Sequence, residues 1–292
     1  MKKVLVIGSK GMAGHMIRQL LIETKAFEVI DISRDNQSFK STYSFDLTDL
    51  EQLANILCIE KPDVIINCVG ILNQAAEINP EKSIFINSLI PHFLSARCKR
   101  LIHISTDCVF NGSKGNYLEH DTKDGYGFYA ESKSLGEVTY GPHITVRTSI
   151  IGPELKSNGT GLLHWFLNQK GEIKGYSNAV WSGVTTLQLA KFIKDLMDKS
   201  EITGLVHYTN NTKISKLNLL KLISAIFGKK IEIVPYEDYQ VDKSLVNMRS
   251  DIDLNIPDYE RMLKELLNFM NNHSNELYQN YNLNENNYLN TI

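Results

Sequence analysis

The run Val4–Ile7 passes directly into Gly8-x-x-Gly11-x-x-Gly14, and a helical apolar pattern over Met12–Leu21 follows. A buried strand, a glycine turn and a helix N-terminus in that order constrain the fold more than any other feature of the chain. Gly8 permits the tight turn, Gly11 lets backbone approach a pyrophosphate, and Gly14 lets helix and strand pack closely. Unpaired N–H groups and the dipole at the helix start favour an anion there. Glycine turns after strands are common in themselves. The clear strand at the chain start makes this one a dinucleotide site, with Lys10 and Met12 in the same loop.

The rhythm set by this unit continues. Strand patterns at Glu28–Ile32, Asp63–Asn67, Leu101–Ser105 and Ile144–Arg147 alternate with helical patterns at Leu50–Ile59 and Glu81–Cys98. Continuous apolar strands separated by helices predict a parallel sheet covered on both faces, a doubly wound Rossmann-type α/β fold. Thr48-Asp-Leu-Glu51 reads as a capping box opening the second helix. Near 151–158 the pattern breaks into Gly-Pro, Ser-Asn-Gly and Thr-Gly, which reads as a domain boundary. The predicted organisation is a nucleotide domain over 1–152 with a returning segment near 178–198. A smaller mixed α/β substrate domain takes 153–177 and 199–270, and 271–292 is an Asn-rich tail read as a frayed helix or disordered. Helical patterns in the second half fall at Leu162–Gln169, Leu187–Met197, Leu217–Phe227 and Tyr259–Asn268, with strand-like pieces at Leu205–Tyr208 and Ile231–Val234.

Composition narrows the class by exclusion. A formal charge of −2 over 292 residues leaves no basic footprint for nucleic acid or an anionic membrane. Cys58, Cys68, Cys98 and Cys108 form no Cys-x-x-Cys pair, and no apolar run is long enough for a span or a signal h-region. The expectation is a cytoplasmic protein with reduced thiols and no metal site.

The second strand bears on which dinucleotide is bound. An acid at its end would take a ribose 2′-hydroxyl, but Asp31 comes one or two positions early and the strand ends Ile32-Ser33-Arg34. Arg34 is read as a partner for a 2′-phosphate, the other reading being a solvated loop charge. The cofactor expected is therefore NADP, as NADPH, with NADH left open. Asp46 and Leu47 fall where side chains meet an adenine edge, Asp46 being otherwise a turn residue before the cap. Cys68, Val69 and Gly70 follow a strand end and complete the expected cofactor contacts.

Tyr129 and Lys133 stand four apart on a helical pattern and so share a face. An ammonium beside a phenol favours the phenolate, and such a pair can pass a proton to or from a carbonyl oxygen. The spacing alone is weak, since Tyr239 and Lys243 repeat it in a chain with 13 tyrosines. Only the first copy has a Ser/Thr at a strand end before it. Thr106 follows Leu101–Ser105 and would lie at the carboxyl edge of the sheet, where open α/β folds bind ligands.

These segments together resemble the extended short-chain dehydrogenase/reductases, and within them the dTDP-4-dehydrorhamnose reductase-like branch. The matching pieces are the glycine loop, Asp46–Asp49, Lys61–Asn67, Ser105–Gly112, Tyr129–Glu137 and Val146–Thr148. The likeness runs along most of 1–250, strongest in the first 150 residues. It implies reduction of the C4 ketone of a nucleotide-linked 4-keto-6-deoxy sugar for a cell-surface polysaccharide. It casts Tyr129 as general acid, Lys133 as holder of the nicotinamide ribose, and Thr106 as the hydroxyl that orients the ketone. Asp107, Cys108, Trp181 and Arg249 are the further substrate contacts expected. A homodimer is one assembly considered, with the oligomeric state left open.

Departures from the family pattern matter as well. Related dehydratases carry Asp-Glu after the Thr, whereas Asp107 is followed here by Cys108, which favours reduction over dehydration. Rhamnose-pathway reductases usually carry Tyr at that position, so the sugar stays open. A Cys there is also similar to GDP-fucose synthases, which epimerise with a Cys and a His; His164 is the nearest partner for such an epimerase/reductase. A third reading, from another class, is a non-catalytic NADP-binding regulatory subunit.

Overall fold

A computed structural model describes residues 1–281 and 283. The first half runs β1 (Lys2–Ile7), α1 (Met12–Thr24), β2 (Phe27–Ser33), β3 (Tyr43–Ser44), α2 (Leu50–Glu60) and β4 (Val64–Asn67). It continues with α3 (Asn73–Ile78), α4 (Pro80–Ser83), a π-helical stretch (Ile84–Leu89), α5 (Ile90–Ser95), β5 (Leu101–Thr106), α6 (Phe128–Leu135) and β6 (Ile144–Thr148). The second half holds β7 (Ile150–Ile151), α7 (Leu162–Asn168), β8 (Glu172–Tyr176), β9 (Ala179–Trp181), β10 (Val184–Thr185) and α8 (Thr186–Leu196). Then come β11 (Gly204–His207), β12 (Ile214–Ser215), α9 (Lys216–Ile226), β13 (Glu232–Tyr236), β14 (Val241–Asp242) and α10 (Tyr259–Asn272).

Seven strands form one parallel sheet in the order β11-β6-β5-β4-β1-β2-β3. The order reverses between β1 and β4, and a crevice opens beyond the carboxyl ends of strands at such a point. Strand alternation divides the core. Val4 and Val6 of β1 pack with Met16, Ile17 and Leu21 on one face, while Leu5 and Ile7 meet Leu53, Ile56 and Leu57 on the other. The strand rhythm in the sequence thus becomes a two-faced core with α1 and α8 side by side on one face.

Several boundaries differ from expectation. The α2 cap is Asp49, which accepts from Gln52 N–H at 2.9 Å, while the Thr48 hydroxyl donates to Asp46 at 3.0 Å. Asp46 draws Thr48 into a turn and leaves the cap to the next residue. The single helix expected over Glu81–Cys98 contains a π-helical stretch, which puts Asn87 on the seam with α6. There its amide clamps the Ile71 backbone at 2.8 and 2.9 Å and donates to Ser132 Oγ at 3.0 Å. The chain returns to the large sheet as far as β11, beyond 198, because Leu205 and Val206 pair with Thr145 and Val146. The small sheets β12-β9-β14 and β13-β8, with α9 against them, form the second lobe.

The largest correction concerns the Asn-rich tail. Helix α10 continues to Asn272, and the chain beyond it packs down, with Tyr278 fully buried and Tyr281 buried. Asn-rich composition hid this, because the ordering comes from two tyrosines whose hydroxyls find histidine partners. The part of the tail at 282 and 284–292 lies outside the described residues. No helix among the described residues is long and apolar enough to cross a membrane.

Candidate active site and dinucleotide cavity

The glycine loop adopts the geometry its sequence demands. Gly8 has φ +82°, and a Cβ on Gly14 would fall 2.1 Å from the Gly8 carbonyl oxygen. Only glycine fits either place. Beyond the loop lies a cavity of about 1030 Å³ at the β1–β4 crevice. Its walls include Gly8, Lys10, Gly11, Met12, Arg34, Asp46, Leu47, Cys68, Val69 and Gly70, all expected at the cofactor. Gly14 lies beneath the loop, where it permits close packing. Side chains at Gly8 or Gly14 would collide with Val69 and with the loop's own backbone, so the cradle keeps its shape only with glycine there.

Charges around the cavity are sorted by their partners. Asp31 is buried and occupied: it accepts from Ser9 Oγ at 2.5 Å and Thr42 at 3.1 Å, with Arg18 at 3.5 Å. Both its oxygens are engaged, and it does not line the cavity. Lys10 is held by the Asp35 carbonyl at 2.5 Å, and burial pulls its pKa down. Asp46 is paired with Lys82 at 2.8 Å, which lowers its carboxyl pKa. Arg34 lines the wall with no hydrogen-bond or ion-pair partner among the described residues.

Behind the cavity wall the catalytic candidates converge. Thr106 ends β5, and Tyr129 and Lys133 come from α6. Thr106 Oγ1 donates to Asp107 at 3.1 Å and accepts from Cys108 N–H at 3.1 Å, with the Tyr129 phenol beside it. Lys133 Nζ donates to the Ile104 carbonyl at 2.7 Å, and its stem passes Gly70. Thr106, Tyr129 and Lys133 are absent from the cavity lining, and of the three only the Lys133 stem comes up against it, behind Gly70. Electrostatics at the phenol differ from expectation. Burial raises the Tyr129 pKa, helped by Cys108, and the lysine is engaged by the Ile104 carbonyl. Burial also raises Asp107 and pushes the Cys108 thiol up to about 11. Lys133 is lowered by burial to about 8.

The substrate candidates separate into two groups. Trp181 is buried, and its indole N–H donates to Ser149 Oγ at 2.9 Å, with Ser149 beside the Asp107 carboxyl. Trp181 is thus linked to the site through one hydroxyl. Arg249 is not brought there. Its guanidinium takes the Thr203 and Leu205 carbonyls and the Asp251 carboxylate, beside the amino end of β11 and far along the strand from the catalytic edge. Three acceptors in reach satisfy its fork locally. Likewise His164 pairs with Tyr281 at 2.8 Å and the Ser157 carbonyl at 3.1 Å, which occupies both ring nitrogens and leaves none for Cys108.

Residues that sequence reading missed come from the second lobe. Lys156, Trp165, Lys174 and Tyr176 also line the cavity, with Lys216, which the sequence does offer as a cationic partner for a diphosphate. Of the missed residues only Trp165 carried a signal, as an aromatic beside His164 on a helix.

The fold, the cradle and the Thr–Tyr–Lys set define an oxidoreductase of the extended short-chain dehydrogenase/reductase class. The chain belongs to the RmlD substrate binding domain family, whose model matches residues 1–246. It is 28% identical over 223 residues to the spore coat polysaccharide biosynthesis protein SpsK of Bacillus subtilis, covering 72% of this chain and 74% of that protein. The dTDP-4-dehydrorhamnose reductase of Mycobacterium tuberculosis is 31% identical over 147 residues, 47% of this chain and 44% of that one. Among solved structures, the dTDP-4-dehydrorhamnose reductase from Bacillus anthracis in complex with NADP superposes with a TM-score of 0.79 at 20% identity, over 92% of this chain and 100% of that one. At that identity the superposition speaks for the fold alone.

Proposed function

We propose that the protein reduces the C4 ketone of a nucleotide-linked 4-keto-6-deoxy sugar with NADPH, in the cytoplasm, during synthesis of a cell-surface polysaccharide precursor. The observation that carries this reading is the Tyr129 phenol set beside Thr106 at the end of β5, together with a glycine-lined cavity whose wall holds the unpartnered Arg34. Relatives named for dTDP-4-dehydrorhamnose reduction and spore coat polysaccharide synthesis support the substrate class.

When bound, the nicotinamide supplies a hydride. The chain's own residues do the rest. Thr106 orients the ketone and steadies negative charge growing on its oxygen. Tyr129 gives that oxygen its proton; burial keeps the phenol protonated at neutral pH, the state an acid needs. Lys133 is anchored to the Ile104 carbonyl behind Gly70, where it can reach a nicotinamide ribose. The second lobe closes the cavity with cations, Lys156, Lys174 and Lys216, suited to a diphosphate. The epimerase/reductase alternative loses its proposed His164 partner to Tyr281. A non-catalytic role leaves the Thr106, Tyr129 and Lys133 constellation without a purpose.

The test is to incubate the protein with NADPH and a panel of dTDP-, UDP- and GDP-linked 4-keto-6-deoxy sugars. Loss of nicotinamide absorbance with one of them, and an NMR-defined C4 alcohol, is the expected result. No oxidation with any, or deuterium exchange next to C4 without reduction, rejects the assignment.

A further inference from the structure

We propose that Tyr278 and Tyr281 are positioning residues for the dinucleotide: from the C-terminal segment their hydroxyls hold two walls of the cofactor cavity, through His15 and His164. The inference rests on the reading of that cavity as a nicotinamide-nucleotide site.

The first link runs to the glycine loop. His15 lies one residue past Gly14 on α1 and is fully enclosed. Its Nδ1 lies 2.9 Å from the Gly11 carbonyl, which can only accept, so the ring proton is on Nδ1. Nε2 then carries a lone pair, and the Tyr278 hydroxyl, 3.1 Å away, donates to it. Burial lowers the His15 pKa to about 4, so this tautomeric arrangement persists at neutral pH. The chain Tyr278–His15–Gly11 ends on the glycine whose backbone faces the cavity.

The second link runs to the segment 154–161. His164 Nδ1 hydrogen-bonds the Tyr281 hydroxyl at 2.8 Å, while Nε2 meets the Ser157 carbonyl at 3.1 Å and Asn168 Nδ2 at 3.2 Å. The Tyr281 oxygen in turn accepts from Glu154 N–H at 2.8 Å, and the Glu154 carboxylate accepts from Gly161 N–H at 2.5 Å. Glu154, Thr160 and Gly161 all line the cavity. The two walls meet where Met12 closes on Gly161, whose Cβ would come 2.5 Å from the Met12 methyl.

These contacts are more than packing. Edge-to-face contacts of Tyr278 with His15 and of Tyr281 with His164 give the rings apolar burial that a phenylalanine would keep. The hydroxyls add direction. Each ends a hydrogen-bonded chain on backbone of a cavity wall, and loops of this kind are otherwise the most mobile parts of a fold.

The experiment compares the wild-type protein with Y278F/Y281F and with Y208F. Tyr208 is as deeply buried, and its hydroxyl bonds only Gln188, at 3.0 Å, away from the cavity. NADPH dissociation constants are read by fluorescence titration and, with a turned-over sugar, KM for NADPH and kcat are read separately. Loss of two well-aligned hydrogen bonds predicts a rise in Kd and KM of roughly tenfold in Y278F/Y281F, with kcat at saturating NADPH within about twofold. Y208F is expected to bind NADPH as wild type does. Equal affinity in the double variant, a kcat loss without a KM change, or the same weakening in Y208F would overturn the inference. Absence of NADPH binding by the wild-type protein would instead defeat the reading of the cavity itself.

Discussion

His103 turns a ring N–H, not a lone pair, toward Lys133 Nζ, 3.4 Å away. The proton's place follows from the network behind the ring. Val69 N–H donates to Asn67 Oδ1 at 3.2 Å, so the amide nitrogen of Asn67 is the group that meets His103 Nδ1 at 3.2 Å. Nδ1 accepts, and the proton sits on Nε2. Two donors facing each other disfavour the ammonium. Burial does so more strongly, against the opposing pull of Glu137 and Cys68, and His103 itself is kept neutral. Lys133 is therefore held at a cost to the fold.

That cost predicts the behaviour of Lys133→Met. The Lys133 pKa falls from 10.5 to about 8 on folding, so the unfolded chain binds the extra proton between those values and stability rises with pH across that window. Below about pH 8 the penalty is fully present. Removing the amine should stabilise the protein at pH 7 by on the order of 2 kcal/mol while abolishing turnover. Urea unfolding at pH 7 and pH 10 checks it. A variant less stable than wild type at pH 7 contradicts the argument.

Tyr129→Phe should leave the fold and NADPH binding intact and slow reduction by about 10²–10⁴-fold, roughly 3–5 kcal/mol of barrier. Its hydroxyl lies beside Thr106 at the end of β5, the carboxyl edge of the sheet. Single-turnover rates with saturating NADPH read the effect. Turnover near wild type would remove Tyr129 from the chemistry.

The first of these residues were legible in sequence because strand and helix periodicities are local. Val4–Ile7, the three glycines and Tyr129-x-x-x-Lys133 need only neighbours a few positions away to declare themselves. Arg249 shows the opposite case. Its charge looked available for a diphosphate, but its partners, Thr203 and Leu205, lie some forty-odd positions away and become neighbours only when β11 joins the sheet. His15 with Tyr278, and His164 with Tyr281, pair across most of the chain, and no period or spacing in the tail announces them. The raised phenol pKa was hidden for a related reason, since burial outweighs a lysine that the Ile104 carbonyl turns aside.

Gly14→Ala tests the cradle. An alanine methyl would sit 2.1 Å from the Gly8 carbonyl oxygen, so either helix α1 or the glycine turn must shift. Overpacking of this kind typically costs about 1–3 kcal/mol. The expected outcome is a lower melting temperature together with loss of measurable NADPH binding. Wild-type affinity in this variant would show that the dinucleotide does not depend on the close approach of α1 and the loop.

Arg34→Gln tests the choice of dinucleotide. Asp31, the acid nearest the position that would recognise a ribose 2′-hydroxyl, is committed to Ser9, Thr42 and Arg18. Arg34 lines the cavity with its guanidinium unpartnered among the described residues, as a 2′-phosphate would require. A charge-assisted pair is worth about 1.5–3 kcal/mol, so the glutamine should weaken NADPH by roughly 10- to 100-fold. NADH lacks the phosphate and should bind wild type and variant alike. Parallel titrations with both nucleotides give the ratio directly: equal losses for the two would mean that Arg34 only shapes the loop, and no loss for NADPH would place its 2′-phosphate elsewhere.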